Sequence, residues 1–345
     1  VCDIISGTLV LHHSDCNDGL TAAWAVKKVI PDAEFIPVQH GNSPPDVAGK
    51  DIILVDFSYK EDVLNDLIEK SNSILLLDHH KTALDTIMFM STHAMVSKSH
   101  FLETENNQRL IRGLLFGKMK VLLDMDRSGA GIAWDYFHPD EPRPKIIDHV
   151  EDGDLWRFAI PNTKEFVEAV RMMPRTFESI EQVNSFCENQ SLYKMFIGQG
   201  NVLLENKMQE VEISCKKSQE VYILGHKVFA ADVPFYRSSE TANALIRDRP
   251  FGVTYYFDGE TKKYHLSFRS DKNGLNFNVA ELAEKLGGGG HKNASGAQVE
   301  ILPWMNCGWI TNDVFHCGTS SENISIKKFS FKFCPFCARI VETGK

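Results

Sequence analysis

Short apolar runs alternate with helix-period segments through the first eighty residues. Thr8–Leu11, Glu34–Val38, Asp51–Val55 and Ser73–Leu77 are bounded runs that read as strands, the last two as buried ones. Between them, Leu20–Val29 reads as a helix whose Ala22, Ala23 and Ala25 allow close packing, and Lys60–Lys70 as an amphipathic helix. Strands alternating with helices predict a parallel sheet with right-handed crossovers. Met88–Lys120 has no clear period, and Phe101–Leu115, of mixed polarity, reads as an insertion. Helical patterning returns at Gly129–Phe137 and after Pro144. Thr176–Lys217 is largely helical, with an apolar rhythm through Ile197, Leu203, Leu204, Met208 and Val211, and reads as a connector. Strands follow at Val221–Ala231, Gly252–Phe257 and Tyr264–Arg269, then a helix at Val279–Leu286, a glycine run and a strand at Ala297–Ile301. The expected class is α/β. A parallel-sheet domain spans 1–175, a helical connector 176–217, a smaller mixed α/β domain 218–302 and a short tail 303–345.

Composition narrows the function classes. The 345 residues suffice for two domains and a small third module. At 43% hydrophobic and 24% charged the chain is of ordinary globular type, able to bury sizeable cores. A formal net charge of −9 argues against a broad duplex-DNA surface, although a local basic cleft for a short nucleotide is compatible with it. No apolar run approaches the length of a membrane span, and Val1–Val10 lacks the basic and apolar regions of a signal peptide. Of the eight cysteines, Cys307, Cys317, Cys334 and Cys337 crowd the C-terminal end, a distribution that suits a metal site better than a disulfide framework. A reducing, cytoplasmic compartment is the matching expectation.

The candidate chemistry gathers at strand ends. The first strand runs into His12, His13, Asp15 and Asp18, the third into Asp56, and the fourth into Asp78, His79 and His80. In an open parallel sheet these ends lie on one edge, where ligands bind. A further acidic tract, Ile147–Asp154, contains Asp148, Glu151, Asp152 and Asp154. A single acid after a strand is usually a turn or helix cap. Three such endings together are not explained by capping. Clustered carboxylates and imidazoles suit manganese, iron or zinc, and a pair of cations would relieve their mutual repulsion.

These residues carry a resemblance. Asp78-His79-His80 resembles the signature of the DHH phosphoesterases. HHSDCNDGLTAAW, from His12 to Trp24, resembles the first motif of that family, Asp56 in LVDFS the second and Asp152 in VEDGDLW the fourth. Members include single-strand exonucleases, nanoRNases, cyclic-dinucleotide phosphodiesterases and inorganic pyrophosphatases, and commonly bind two manganese ions. The resemblance implies a metal set of His12, His13, Asp15, Asp18, Asp56, His79 and Asp152, with Asp56 as the bridge. It also implies His80 facing the scissile phosphate and Asp78 orienting a histidine. Manganese is the implied cofactor, as one or two ions, with magnesium, iron or cobalt as substitutes. One departure stands out: Cys16 occupies a place that the family usually gives to an aspartate.

Gly287-Gly288-Gly289-Gly290-His291 follows the predicted helix of the second domain. Such a run lets backbone approach a ligand and presents amide N–H groups to an anion; alone it is equally a loop or a helix terminator. Its setting, SFRSDKNGLNFNVAELAEKLGGGGHKNASGA, resembles the substrate-binding domain that accompanies many DHH phosphoesterases. That implies substrate contacts from Arg269, Gly288, Gly289, Gly290 and His291 and argues against a pyrophosphatase. Cys334-Pro335-Phe336-Cys337 with Cys307 and Cys317 resembles a zinc-ribbon module, so a structural zinc is expected in the tail. The expected activity is metal-dependent hydrolysis of short oligonucleotides or small nucleotides, cyclic ones included, by metal-activated water. The expected partners are those substrates, with no membrane; a homodimeric assembly is left open. A single-strand-specific exonuclease on longer DNA or RNA and a catalytically weak nucleotide-binding regulator are the alternatives.

Overall fold

A computed structural model describes residues 7–14, 16–39, 41–93, 101–105, 110–115, 117–271 and 274–304, with short strands at 309–311, 314–316 and 323–325. The chain divides into two compact units, Val1–Leu204 and Glu205–Lys345. No helix among the described residues is long and apolar enough to cross a membrane.

The first unit runs β1 (Thr8–His13), α1 (Asn17–Val29), β2 (Glu34–Val38), β3 (Asp51–Val55), α2 (Glu61–Lys70), β4 (Ser73–Asp78), α3 (Lys81–His93), β5 (Phe101–Glu105), β6 (Leu110–Leu115), β7 (Met119–Asp124), α4 (Gly129–Phe137), α5 (Lys145–Asp154), α6 (Thr163–Arg171), α7 (Phe177–Glu188) and the start of α8 (Gln190–Lys216). Its sheet has the order β2-β1-β3-β4-β7-β6-β5. The first five of these strands are parallel; the apolar runs predict four of them, and β7 is an addition. The strands read as unbroken apolar runs because both sheet faces are covered. Leu9, Leu11, Ile52, Leu54, Ile74 and Leu76 pack with Leu64 and Leu67 of α2 and Ala83 and Ile87 of α3. Val10, Ile53, Val55 and Leu77 pack with α1, α4, α5, α6 and α7 on the other side.

Two sequence expectations are revised here. The stretch 101–115 is a hairpin, β5 and β6, that extends the sheet antiparallel beyond β7. Its mixed polarity is that of a hairpin with one wet face: Ile111 is buried, whereas Arg112 pairs across to Glu103 at 2.9 Å in solvent. The helices of 176–217 do more than connect. Ile180, Val183 and Cys187 of α7 and Phe196 of α8 bury their apolar stripes in the first unit's core, and the unit boundary falls within α8.

The second unit contains β8 (Gln219–Ile223), β9 (His226–Asp232), α9 (Ser238–Ala244), β10 (Gly252–Asp258), β11 (Lys263–Arg269), α10 (Val279–Glu284), β12 (Gly289–His291) and β13 (Ala294–Val299). Val221–Ala231 is therefore two strands. They are split by Leu224 and Gly225 at φ 48° and 84°, the backbone of a two-residue hairpin turn. The sheet order is β12-β13-β11-β10-β9-β8, around a core of Val253, Leu266, Phe268, Leu282 and Phe251. Three short strands, β14 (Trp309–Thr311), β15 (Val314–His316) and β16 (Asn323–Ser325), form a small antiparallel sheet. The expected zinc ligands Cys307, Cys317, Cys334 and Cys337 lie outside the described residues, as does Asp15.

Candidate metal centre

The chain leaves β1 to one side for β2 and returns on the other side as β3. This makes a topological switch point, beyond whose carboxyl ends α/β sheets bind ligands. His13 ends β1, Asp56 follows β3, and Asp78, His79 and His80 close β4 and begin the next turn. Asp56 sits at φ 54°, a left-handed backbone uncommon outside glycine and most often adopted by Asn or Asp. Its N–H is tied to Leu77 O at 3.0 Å, which fixes it beside the end of β4.

Asp56 is 1% exposed, and its two oxygens face different neighbours. Oδ1 is 3.1 Å from His79 Nε2 and 3.9 Å from His80 Nδ1. Oδ2 has no hydrogen-bond partner among the described residues, with His13 Nδ1 at 3.8 Å. His79 Nε2 also lies 3.7 Å from Asp18 and 3.6 Å from Asp154. Three groups of donor atoms each fall within 4.8 Å of one another: Asp56, Asp78, His79 and His80; His13, Cys16 and Asp56; and Asp18, His79 and Asp154.

The electrostatics are those of an anionic nest lacking its counter-charge. Burial and then the negative charge of Asp18 push Asp56 well above the carboxylate range. Lost hydration and Asp18 likewise raise Asp154 to about 6. Burial, Asp56, Asp18 and Asp154 push the Cys16 thiol well up. Burial alone would depress His79. The hydrogen bond that His79 donates to Asp56 and the charges of Asp154 and Asp18 outweigh it and lift the imidazole to about 10. Burial likewise opposes protonation of His80, and Asp78 outweighs it to give about 9. A buried carboxylate oxygen without a donor, among nitrogen, oxygen and sulfur ligands, fits divalent cations.

Asp78 is shaped for support. Its Oδ1 accepts the N–H groups of His79 at 2.7 Å and His80 at 3.2 Å, and also pairs with His80 Nδ1 at 2.7 Å. Those contacts outweigh its burial and lower its pKa. Asp18 is equally constrained: it accepts the N–H groups of Gly129 at 2.6 Å and Ala130 at 2.9 Å, at the positive end of α4.

Not every expected ligand is brought together. Strand alternation turns His12 to the opposite face from His13: His12 rests against Phe177 and its Nδ1 lies 3.2 Å from His13 O. Asp152 turns away from the nest and accepts the N–H groups of Ala159 at 2.8 Å and Ile160 at 3.0 Å. Asp154, two residues on, occupies the place beside His79. Gly19 and Gly129 were not singled out in the sequence and are needed for close approach. A Cβ on Gly19 would stand 2.5 Å from His13 O, and one on Gly129 2.5 Å from Asp56 Cβ. The small run Ser128-Gly129-Ala130-Gly131 at a helix start was the available signal.

In the second unit, Arg269 of β11 is in register with Ala294 of β13, and Ala294 with His291 of β12. Directly paired residues share a sheet face, so Arg269 and His291 flank a small alanine. Arg269 donates to Ser239 Oγ at 2.7 Å and to Phe268 O at 2.9 Å. The glycine run is partly occupied with its own structure. Gly287 and Gly288 N–H close α10 on Glu284 O and Ala283 O, and Gly289-Gly290 belong to an edge strand. Gly290 has φ 140°, and a Cβ on Gly288 would stand 2.0 Å from Gly296 O.

Residues 226–302 match the DHHA1 domain family. An uncharacterized protein, R106, of Acanthamoeba polyphaga mimivirus is 29% identical over 314 residues. The match covers 84% of this chain and 66% of the viral protein, so the chain spans just under two thirds of that relative. Among solved structures, the pGpG-specific phosphodiesterase PggH of Vibrio cholerae shares 12% identity at a TM-score of 0.47, over 86% of this chain and 94% of that one. RecJ of Thermus thermophilus in complex with Mn2+ shares 13% identity at 0.46, over 85% of this chain and 49% of that one. The DHHA1 match lies in the second unit, after an α/β unit whose fourth strand runs into Asp78-His79-His80. Residues 226–302 thus carry the DHHA1 match, and Asp78-His79-His80 carries the resemblance to DHH phosphoesterases read from the sequence.

Proposed function

We propose that the chain hydrolyses phosphodiester bonds in short oligonucleotides or small nucleotides, cyclic dinucleotides included. The observation that carries this is the buried Asp56, whose Oδ2 has no donor among the described residues and faces His13, while its Oδ1 faces His79, itself beside Asp18 and Asp154. These five residues would hold divalent cations, manganese foremost. Bound there, such cations acidify a water and neutralise phosphate charge. His80 is then a group for the phosphate. Its Nδ1 lies 2.7 Å from Asp78 Oδ1; protonated, the imidazole would donate its other N–H to a phosphoryl or leaving oxygen. Asp78 holds that ring and the main chain of both histidines. In the second unit, Arg269 and His291 supply the cationic and hydrogen-bonding grip on a second phosphate, since arginine's fork suits phosphate oxygens.

The test is turnover with manganese on three substrates: a linear dinucleotide, a cyclic dinucleotide and a long single strand. Faster hydrolysis of either short substrate supports the proposal. Preference for the long strand replaces it with an exonuclease, and tight nucleotide binding without turnover replaces it with a regulator.

A further inference from the structure

The donor groups around Asp56 are chemically unequal. Next to Oδ1 stands His79, whose Nε2 groups with Asp18 and Asp154, an imidazole with two carboxylates. On the Oδ2 side stand His13 Nδ1 and Cys16 Sγ, which with Asp56 lie within 4.8 Å of one another. Cys16 is half-buried and takes the N-cap position of α1, where its side chain makes no capping hydrogen bond. The independent pointer to a ligand is Asp56 Oδ2 itself, on a residue 1% exposed and aimed into this group without a partner among the described residues.

We propose that His13, Cys16 and Asp56 form a thiolate-containing site selective for a borderline-soft divalent cation such as zinc, iron(II) or cobalt(II), beside a harder site at Asp18, His79 and Asp154 that suits manganese or magnesium. Nitrogen, sulfur and oxygen together match the donor preferences of the first set, whereas hard cations gain little from sulfur. Binding displaces the thiol proton to solvent as the metal–sulfur bond forms. The consequence is a mixed metal pair, and a chain whose activation by manganese alone is incomplete.

This rests on the reading of the nest as a metal centre, and binding readouts separate the two. The full chain, stripped of metal and kept reduced, is titrated with cobalt(II). Thiolate-to-cobalt absorption in the near ultraviolet is compared among the parent chain, Cys16→Ser and Cys16→Asp. The tail cysteines contribute equally to all three. The expected result is a partial loss of that band in both variants. In Cys16→Asp, the preference for zinc over manganese in competition dialysis also falls about tenfold or more. An unchanged spectrum and unchanged preference overturn the proposal. Should either variant fail to fold, alkylation of Cys16 in the parent chain, mapped by mass spectrometry, decides. Zinc is expected to slow it and manganese not; equal rates overturn the proposal. A protected Cys16 without any hydrolysis removes the hydrolytic reading alone, and manganese-dependent hydrolysis with an unprotected Cys16 removes this one alone.

Discussion

Asp56 concentrates the conflict between stability and function in one residue. Its carboxylate is buried, its Oδ2 lacks a donor among the described residues, and the charge of Asp18 adds to the penalty. Asn accepts the same positive φ and carries no charge. In chelator, Asp56→Asn is therefore expected to be more stable than the parent by about 1–3 kcal/mol. With manganese the order reverses, because ligand at a thousandfold excess over its Kd stabilises by about 4 kcal/mol and the variant forgoes most of that. Urea unfolding in both conditions checks this; a parent that is the more stable in chelator and indifferent to manganese would remove Asp56 from the metal site. The sequence made the Asp-His-His trio and Asp56 legible because polar groups ending buried strands stand out. It could not separate His13 from His12, since both faces of β1 are buried and alternation does not say which face meets the site. Nor could it separate Asp154 from Asp152. Two helical residues two apart point about 200° from each other, and only the packing of α5 shows which one reaches His79.

The elements that frame the site depend on close contact. Gly129 begins α4, donates its N–H to Asp18 and lies against Asp56. Gly129→Ala would press a methyl group into Asp56 Cβ, a rigid atom. We expect a loss of about 1–3 kcal/mol in stability and at least about a tenfold weakening of manganese binding, read by thermal unfolding and by titration calorimetry. The clamp between α5, α6 and α8 titrates. His149 is buried between Thr163 Oγ1 at 2.9 Å and Tyr193 OH at 2.8 Å and stacks on Phe166. Burial lowers its pKa from 6.5 to about 4. Between those values the unfolded chain binds the proton more readily. This contribution is thus complete above pH 6.5 and is lost as pH falls toward 4, about 3 kcal/mol in all. His149→Gln should flatten the stability profile relative to the parent across that window; parallel profiles would show that His149 does not titrate on unfolding. Buried central strands were legible as apolar runs. The β5–β6 hairpin was not, because a hairpin at the margin of the sheet has a wet face that breaks the apolar run. The helices after Thr176 were recognised as helices, but nothing local tells a connector from a core layer.

At the scale of the whole chain, the proposed function puts metal and phosphate chemistry on different units, so they should fail separately. With a net charge of −9 the molecule gives an anionic substrate no general attraction, and binding must come from local groups. Arg269, held in place by Ser239 and the Phe268 carbonyl, is the group the proposed function puts in that role. Removing a hydrogen bond to a charged partner costs about 1.5–3 kcal/mol. Arg269→Ala is therefore expected to raise KM about 10- to 100-fold on a dinucleotide, with manganese affinity unchanged; Asp56→Asn should do the reverse, abolishing metal uptake and turnover while nucleotide still binds. Hydrogen exchange resolves the same division by position, because a ligand slows the local openings that break its own site. Manganese should protect β1, β3 and β4, and a non-hydrolysable dinucleotide should protect β11, β12 and β13. If Arg269→Ala lowered manganese affinity as much as it raised KM, the two chemistries would be one site, and assigning the phosphate grip to the β11–β13 row would be wrong.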